Sequence, residues 1–268
     1  MKIRKAVLPV GGVGTRFLPV TKVVPKELLA IGDKPVIQYL VEEAVASGVE
    51  EIIFVISKDK ELIRAHFSPH PELEAFLTVR EKYDLLNKVR PIHQLARFHY
   101  VYQNEPKGDG DALLCAEELV GHEPFLVLFG DDIVKSDIPA AKQLIDHFTG
   151  KGVIGVQRVP KERVSDYGIV SPGARQGRLF DVEGLVEKPA PENAPSDLGI
   201  IGKYVCPPEI FEAIRTAVPS HGGELRLIDG LMKLRESQGL LAYVIEGERF
   251  DTGQLAGWIA ANNAFFGH

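Results

Sequence analysis

The sequence predicts an α/β fold: a Rossmann-like mixed, mostly parallel sheet flanked by helices, with a smaller strand-rich lobe. Three observations predict it. Ala6-Val7-Leu8-Pro9-Val10, Ile52-Ile53-Phe54-Val55-Ile56 and Phe125-Leu126-Val127-Leu128-Phe129 are near-continuous apolar runs ending in Gly or Ser, as strands buried on both faces read. Between the first two, Val36, Ile37, Leu40, Val41, Ala44 and Val45 recur at helical spacing within Pro35 to Ser47, and Gly48 closes the segment. Strand, loop, helix and strand in that order imply a right-handed crossover over a parallel sheet.

The remaining elements follow in chain order. Residues 68–98 mix Leu73, Phe76, Leu77, Leu85, Leu86, Val89, Ile92 and Leu95 with many charges, which predicts one or two amphipathic helices rather than another strand. His66 and His147 read as ordinary helix residues. From Val153 to Val205 the chain is strand-rich and punctuated by Gly and Pro. Pro207-Pro208 opens a helix to Ala217, Leu225 to Gln238 reads as another, Leu240 to Ile245 as a strand and Trp258 to Phe266 as a final helix. With no repeat, low-complexity tract or flexible linker, the expectation is one domain over 1–268, with lobes of about 1–135 and 136–268.

Composition narrows the function classes. Of 268 residues, 45% are hydrophobic and 25% charged, which is globular usage and excludes disordered and fibrous chains. A formal net charge of −6 provides no basic field, so nucleic acid and membrane surfaces are excluded as partners. Cys115 and Cys206 form no CxxC pair and read as buried thiols rather than a zinc site or a disulfide framework. The basic start MKIRK is followed by too few apolar residues for a signal peptide, and no run approaches a membrane span. A cytoplasmic protein is expected.

Chemistry concentrates first in Gly11-Gly12-Val13-Gly14-Thr15-Arg16, directly after the first strand. Three glycines in four positions let backbone N–H groups approach an anion closely. A plain strand-to-helix turn would look the same, and two better-known phosphate motifs fail. GxGxxG needs glycine where Phe17 stands, and a P-loop needs GK[ST]. An NAD-binding oxidoreductase would also end its second strand on an acidic residue, where Ser57-Lys58 stands. Arg16 and Lys26, however, flank the loop and can neutralise a triphosphate without a P-loop lysine. No His pair or Ser-His-Asp arrangement supports a covalent hydrolase.

The stretch GGVGTRFLPVTKVVPKELLAIGDKPVIQYLVEEA resembles the G-x-G-T-R-(x)9-K signature of the sugar-nucleotide pyrophosphorylases, a nucleotidyltransferase family. The likeness continues in order through Gln103-Asn104-Glu105-Pro106-Lys107-Gly108, Phe129-Gly130-Asp131-Asp132, Val164-Ser165-Asp166-Tyr167-Gly168, Val186-Glu187-Lys188-Pro189 and Phe250-Asp251-Thr252-Gly253. The resemblance implies a Mg²⁺-assisted attack of a sugar phosphate on the α-phosphorus of a nucleoside triphosphate. It implies Gly11, Gly12, Gly14 and Thr15 around the phosphates, with Arg16 and Lys26 on the leaving pyrophosphate. Gln103 and Gly108 would read the base, and Lys188 would hold the sugar phosphate. Gly168 and Glu187 would bind the sugar, with Tyr167 lining that pocket or belonging to the core. Asp131 and Asp251 would be metal ligands, Asp132 being the alternative to Asp131. Asp109 is placed in an exposed loop. The likeness to the uridylylating branch implies UTP and glucose 1-phosphate as substrates, a sugar-binding second lobe and a homo-oligomer, with residues 239–268 as one possible contact surface.

Departures from the pattern keep other readings open. Leu255 stands where Lys is common, Asp197 where Asn is usual, Asp111 where His is frequent, and Arg226-Leu227-Ile228-Asp229 replaces Gln-Leu-Thr-Asp. Asp251-Thr252-Gly253 also resembles the thymidylylating branch. A transferase using dTTP or another hexose 1-phosphate, and a non-catalytic nucleotide-sugar sensor, are the alternatives.

Overall fold

In the computed structural model, which describes residues 2–219 and 223–267, the apolar runs form strands where expected. The first half contains β1 (Lys5–Pro9), the short β2 (Ala30–Ile31) and β3 (Lys34–Pro35), α1 (Val36–Ala46), β4 (Glu51–Ile56) and α2 (Glu61–His66). Then come α3 (Pro71–Val79), α4 (Tyr83–Val89), β5 (Arg97–Tyr102), α5 (Asp109–Cys115), α6 (Glu117–Val120), β6 (Phe125–Leu128) and β7 (Asp132–Lys135). The second half contains α7 (Ala140–Ile145), β8 (Gly152–Arg158), β9 (Gly168–Gln176), β10 (Leu179–Glu187) and β11 (Leu198–Cys206). It closes with α8 (Ile210–Thr216), α9 (Leu227–Gln238), β12 (Leu240–Val244), β13 (Glu248–Asp251) and α10 (Leu255–Phe266).

Among the described residues, nine strands share one sheet in the order β5-β4-β1-β6-β11-β8-β12-β10-β9. β5, β4, β1 and β6 run parallel. β11 then lies antiparallel to both β6 and β8, β12 returns parallel beside β8, and β10 and β9 finish the sheet antiparallel. The mixed α/β architecture is as predicted, with its parallel run in the first half. A separate two-stranded sheet pairs β7 with β13.

The continuous apolar runs have a direct cause. Ala6, Leu8 and Val10 enter one hydrophobic cluster with Ile52, Phe54, Ile56, Leu126 and Leu128, while Val7, Ile53, Val55, Phe125 and Val127 enter a second. Side chains alternate across a strand, so a sheet covered on both faces needs apolar residues at every position. Helix α1 supplies Val36, Ile37, Leu40, Val41 and Ala44 to the first cluster, which is why its apolar stripe has helical period.

Three expectations are corrected. β5 was not foreseen; it begins at Arg97, where the stretch read as helical ends. Its residues are half-exposed and include Arg97 and His99, so no continuous apolar run marks it. Phe98 and Tyr100 nevertheless stack on Phe54. His147 lies in a turn beyond α7, while His66 does end a helix. Cys206 is buried, its thiol pushed up to about 12 by that burial, but Cys115 is half-exposed. Among the described residues no helix is long and apolar enough to cross a membrane. Residue 268 of the predicted contact surface lies outside the described residues.

A buried ion pair underlies the loop before β2. Lys60 Nζ donates to Glu27 Oε2 at 2.7 Å, with side-chain exposures of 3% and 1%. Burial raises the Glu27 carboxyl, and the Lys60 and Lys26 charges offset part of that rise. Lys60→Met would leave Glu27 buried without its partner, costing about 3–5 kcal/mol at neutral pH. Because the folded-state carboxyl would be raised further, the lost stability should return as pH falls and Glu27 takes up a proton. Urea unfolding across pH tests this; a pH-independent loss would contradict it.

Candidate active site

Parallel strands end on one side, and the predicted motifs follow those ends. Gly11 follows β1, Ser57 follows β4, Gln103 follows β5, and Gly130-Asp131 follows β6. Ser57 Oγ donates to the Gly11 carbonyl at 3.1 Å, and Gln103 N donates to the Ile56 carbonyl at 2.9 Å. The carboxyl edge of an open α/β sheet is where such folds open a crevice.

The glycine loop turns back on itself. Gly14 adopts φ 70°, the left-handed region that glycine tolerates, and its carbonyl accepts from Thr21 Oγ1 at 2.8 Å. A Cβ on Gly14 would lie 3.2 Å from Lys26 Cβ, so the turn brings Lys26 against the glycines. Gly11, Gly12, Lys26, Gln103, Gly108 and Asp131 line one depression. Gly108, at φ 111°, packs so closely on Leu225 that a Cβ would sit 2.2 Å from its carbonyl oxygen.

An adjoining depression is lined by Arg16, Asp131, Gly168, Glu187, Lys188 and Asp251, with Arg226 and Arg249. Asp109, Phe129 and Asp131 line both, so the two form one cleft. Lys188 holds φ 48°, uncommon for a side-chain-bearing residue, while its backbone N–H donates to the Tyr167 carbonyl at 3.0 Å. Arg226 Nη1 donates to Glu187 Oε1 at 3.0 Å, so Glu187 already has a cationic partner.

Carboxylates gather where the depressions meet. Antiparallel pairing of β7 with β13 sets Asp132 opposite Asp251. The Asp131 carbonyl accepts from Thr252 N at 2.8 Å and Thr252 Oγ1 at 2.9 Å. Both acidic side chains then face Gly253, where a Cβ would lie 2.6 Å from Asp131 Oδ2 and 3.1 Å from Asp251 Oδ1. The two oxygens are therefore no farther apart than the sum of those distances. Lys26 Nζ donates to Asp131 Oδ2 at 2.5 Å. Burial pushes the Asp131 carboxyl up, but Lys26, Arg249 and Arg16 outweigh it and hold it below the ordinary value. Asp251 is raised, first by burial and then by the Asp132 charge; Arg249 opposes the rise, and Asp131 adds a smaller one. Asp132 is committed elsewhere: Arg249 Nε donates to Oδ1, and Gly202 N donates to Oδ2 at 3.0 Å.

A nucleotidyl transferase family model matches residues 5–266. The chain belongs to the nucleotidyl transferase family. It is 48% identical to the UTP–glucose-1-phosphate uridylyltransferase of Bacillus subtilis (strain 168) over 266 residues, 98% of this chain and 91% of that one. It is also 48% identical to that of Staphylococcus epidermidis (strain ATCC 12228 / FDA PCI 1200), over 96% of this chain and 90% of the other. Among solved structures, an apo UDP-glucose pyrophosphorylase superposes with a TM-score of 0.92 at 36% identity, covering 98% of each chain. A UDP-glucose pyrophosphorylase complexed with UDP-glucose superposes at 0.89 with 35% identity, again over 98% of each.

In this nucleotidyl transferase the predicted residues fall into the cleft with two exceptions. Gly14 and Thr15 line neither depression; they form the turn and the start of the short helix that carries Arg16. Tyr167 serves both alternatives, being 8% exposed and lining the cleft while its hydroxyl accepts from Arg249 Nη1 at 3.1 Å. Asp109 is corrected: it is the first residue of α5, and its Oδ1 accepts from Leu227 N at 2.7 Å. Burial raises its carboxyl, as does Glu187, against the nearby Arg226. Arg226 and Arg249 were missed as site residues, and no local spacing marks either of them. The substitution within Arg226-Leu227-Ile228-Asp229 was the one available signal for Arg226.

Proposed function

We propose that this nucleotidyl transferase transfers the uridylyl group of UTP to glucose 1-phosphate, giving UDP-glucose and pyrophosphate. One observation carries the reading. A single cleft holds, in succession, a depression with Gln103, a cation-flanked carboxylate pair and a second depression with its own cations. The names of the relatives support the choice of base and sugar.

Two polyanions must meet in line, so binding and neutralisation do most of the work. Gln103 and Gly108 receive the base. Lys26 and Arg16 hold the β- and γ-phosphates, beside Gly11 and Gly12, whose small size lets the phosphate chain lie against the backbone. Lys188 orients the sugar phosphate so that one of its oxygens attacks the α-phosphorus. The bond from that phosphorus to the bridging oxygen of the β-phosphate breaks, and the electron pair departs with pyrophosphate between Arg16 and Lys26. Glu187, with Arg226 beside it, accepts from sugar hydroxyls, and Gly168 leaves room for the ring. No protein nucleophile is needed.

Asp131 and Asp251 suit Mg²⁺, a hard cation that takes one or two carboxylates and leaves positions for phosphates and water. Their fit is physical: two half-buried carboxylates converge on Gly253, and Asp251 is raised first by partial burial and then by the like charge of Asp132. When bound, Mg²⁺ would neutralise the phosphate charge that develops during transfer. Asp131 and Asp251 would hold it, with Lys26 yielding its bond to Asp131. A cytoplasmic homo-oligomer completes the proposal, and light scattering of the purified protein tests the assembly.

Proton and cation should compete for Asp251. Its folded-state carboxyl is raised, so it retains a proton to higher pH than an ordinary Asp, and ligation weakens as pH falls through that raised value. The Mg²⁺ concentration giving half-maximal turnover should rise with acidification, with activity restored by excess cation. A pH-independent midpoint would remove Asp251 from the site. The function itself is tested by pyrophosphate release across a matrix of nucleoside triphosphates and sugar 1-phosphates. UTP with glucose 1-phosphate should be the preferred pair; no release with any pair would leave a nucleotide-sugar sensor.

A further inference from the structure

We propose that Asp111 sets which nucleobases the cleft accepts, by locking the Gln103 carboxamide in one orientation. The inference rests on the nucleotide reading above. Gln103 Nε2 donates to the Gly108 carbonyl at 3.0 Å and to Asp111 Oδ2 at 2.8 Å. Both amide hydrogens are thereby used, and both partners are acceptors: a carbonyl and a carboxylate have nothing to donate. Turning the amide over would exchange two hydrogen bonds for two oxygen–oxygen contacts, a costly reversal in a partly enclosed site. The nitrogen must therefore face Asp111 and Gly108.

What remains for the ligand is Oε1. It lies 3.6 Å from the point a Cβ on Gly11 would occupy, at the wall of the depression, and no described residue donates to it. A fixed acceptor there suits the N3–H of uracil or thymine. Cytosine carries an unprotonated ring nitrogen at that position, so acceptor would face acceptor. An amide free to turn could serve either base by presenting its NH₂. Asp111 removes that freedom and is a positioning residue acting through Gln103.

The test is a cycle of variants, each assayed with UTP and CTP against glucose 1-phosphate. Asp111→Asn keeps the shape but can present its own NH₂ to Gln103, so the kcat/KM ratio of UTP to CTP should fall about tenfold, roughly one mispaired hydrogen bond. Most of the change should appear in KM. Asp111→Ala is the second variant: it removes one of the two acceptors that hold Gln103 Nε2 and should lower the ratio in the same direction. Gln103→Leu should erase the preference, and adding Asp111→Asn to it should change the ratio no further. An unchanged ratio in Asp111→Asn and Asp111→Ala would overturn the proposal, as would an equal fall in the Gln103→Leu background. Turnover of UTP by the unaltered protein tests the underlying reading separately, and calorimetric binding of UTP and CTP gives the same ratio without turnover.

Discussion

Asp131→Asn is expected to lower kcat/KM by roughly 10²–10³-fold with the fold intact, the scale seen when one preorganised electrostatic group is removed. Three features set that expectation. The side chain is where the two depressions meet, it faces Asp251 across Gly253, and it is hydrogen-bonded to Lys26. Asparagine keeps the volume and removes the negative charge, which weakens any cation held there and frees Lys26 from its counter-charge. The contacts that hold this turn to the strand carrying Asp251 use the Asp131 main-chain carbonyl and survive the substitution. Steady-state kinetics over a Mg²⁺ series, alongside circular dichroism, makes the measurement. A folded variant with unaltered turnover would strike Asp131 from the machinery.

Removal of the Lys188 side chain should have an effect of similar size on kcat/KM and a different one on stability. The ammonium is about half exposed, with Nζ 3.9 Å from Glu187 Oε1, so it contributes little to folding. Its backbone is the unusual part: φ 48° disfavours any residue with a Cβ by roughly 1–2 kcal/mol. Lys188→Gly therefore removes both the charge and the disfavoured contact. Activity should fall about 10²–10³-fold, with the larger share in the KM for glucose 1-phosphate, while the urea midpoint holds or rises. Lys188→Ala should match it in kinetics without the gain in stability. If both variants retain normal turnover, the assignment of the sugar phosphate to Lys188 fails.

How legible these features were depended on the range of the interactions behind them. β1, β4 and β6 could be read because burial on both faces leaves a run of consecutive apolar residues. The glycine loop could be read because its conformation demands particular residues at particular positions. β5 escaped notice because Arg97-Phe98-His99-Tyr100 alternates polar and aromatic residues at the sheet edge, and its packing on Phe54 is a tertiary fact. Asp109 looked exposed because its neighbours are Lys, Gly and Asp. It is enclosed by residues 225–227, which dock on it from more than a hundred positions away. Arg226 and Arg249 were invisible for the same reason, since their partners Glu187 and Asp132 are distant in sequence.

The register of β7 with β13 bears on how the protein comes into being. Residues 132–135 and 248–251 must both have left the ribosome before that small ribbon can close. The glycine turn and the first four parallel strands can assemble long before then, but the acidic pair cannot. During synthesis the growing polypeptide can acquire the glycine turn early, whereas the acidic pair proposed to hold a divalent ion forms only after residue 251 has emerged.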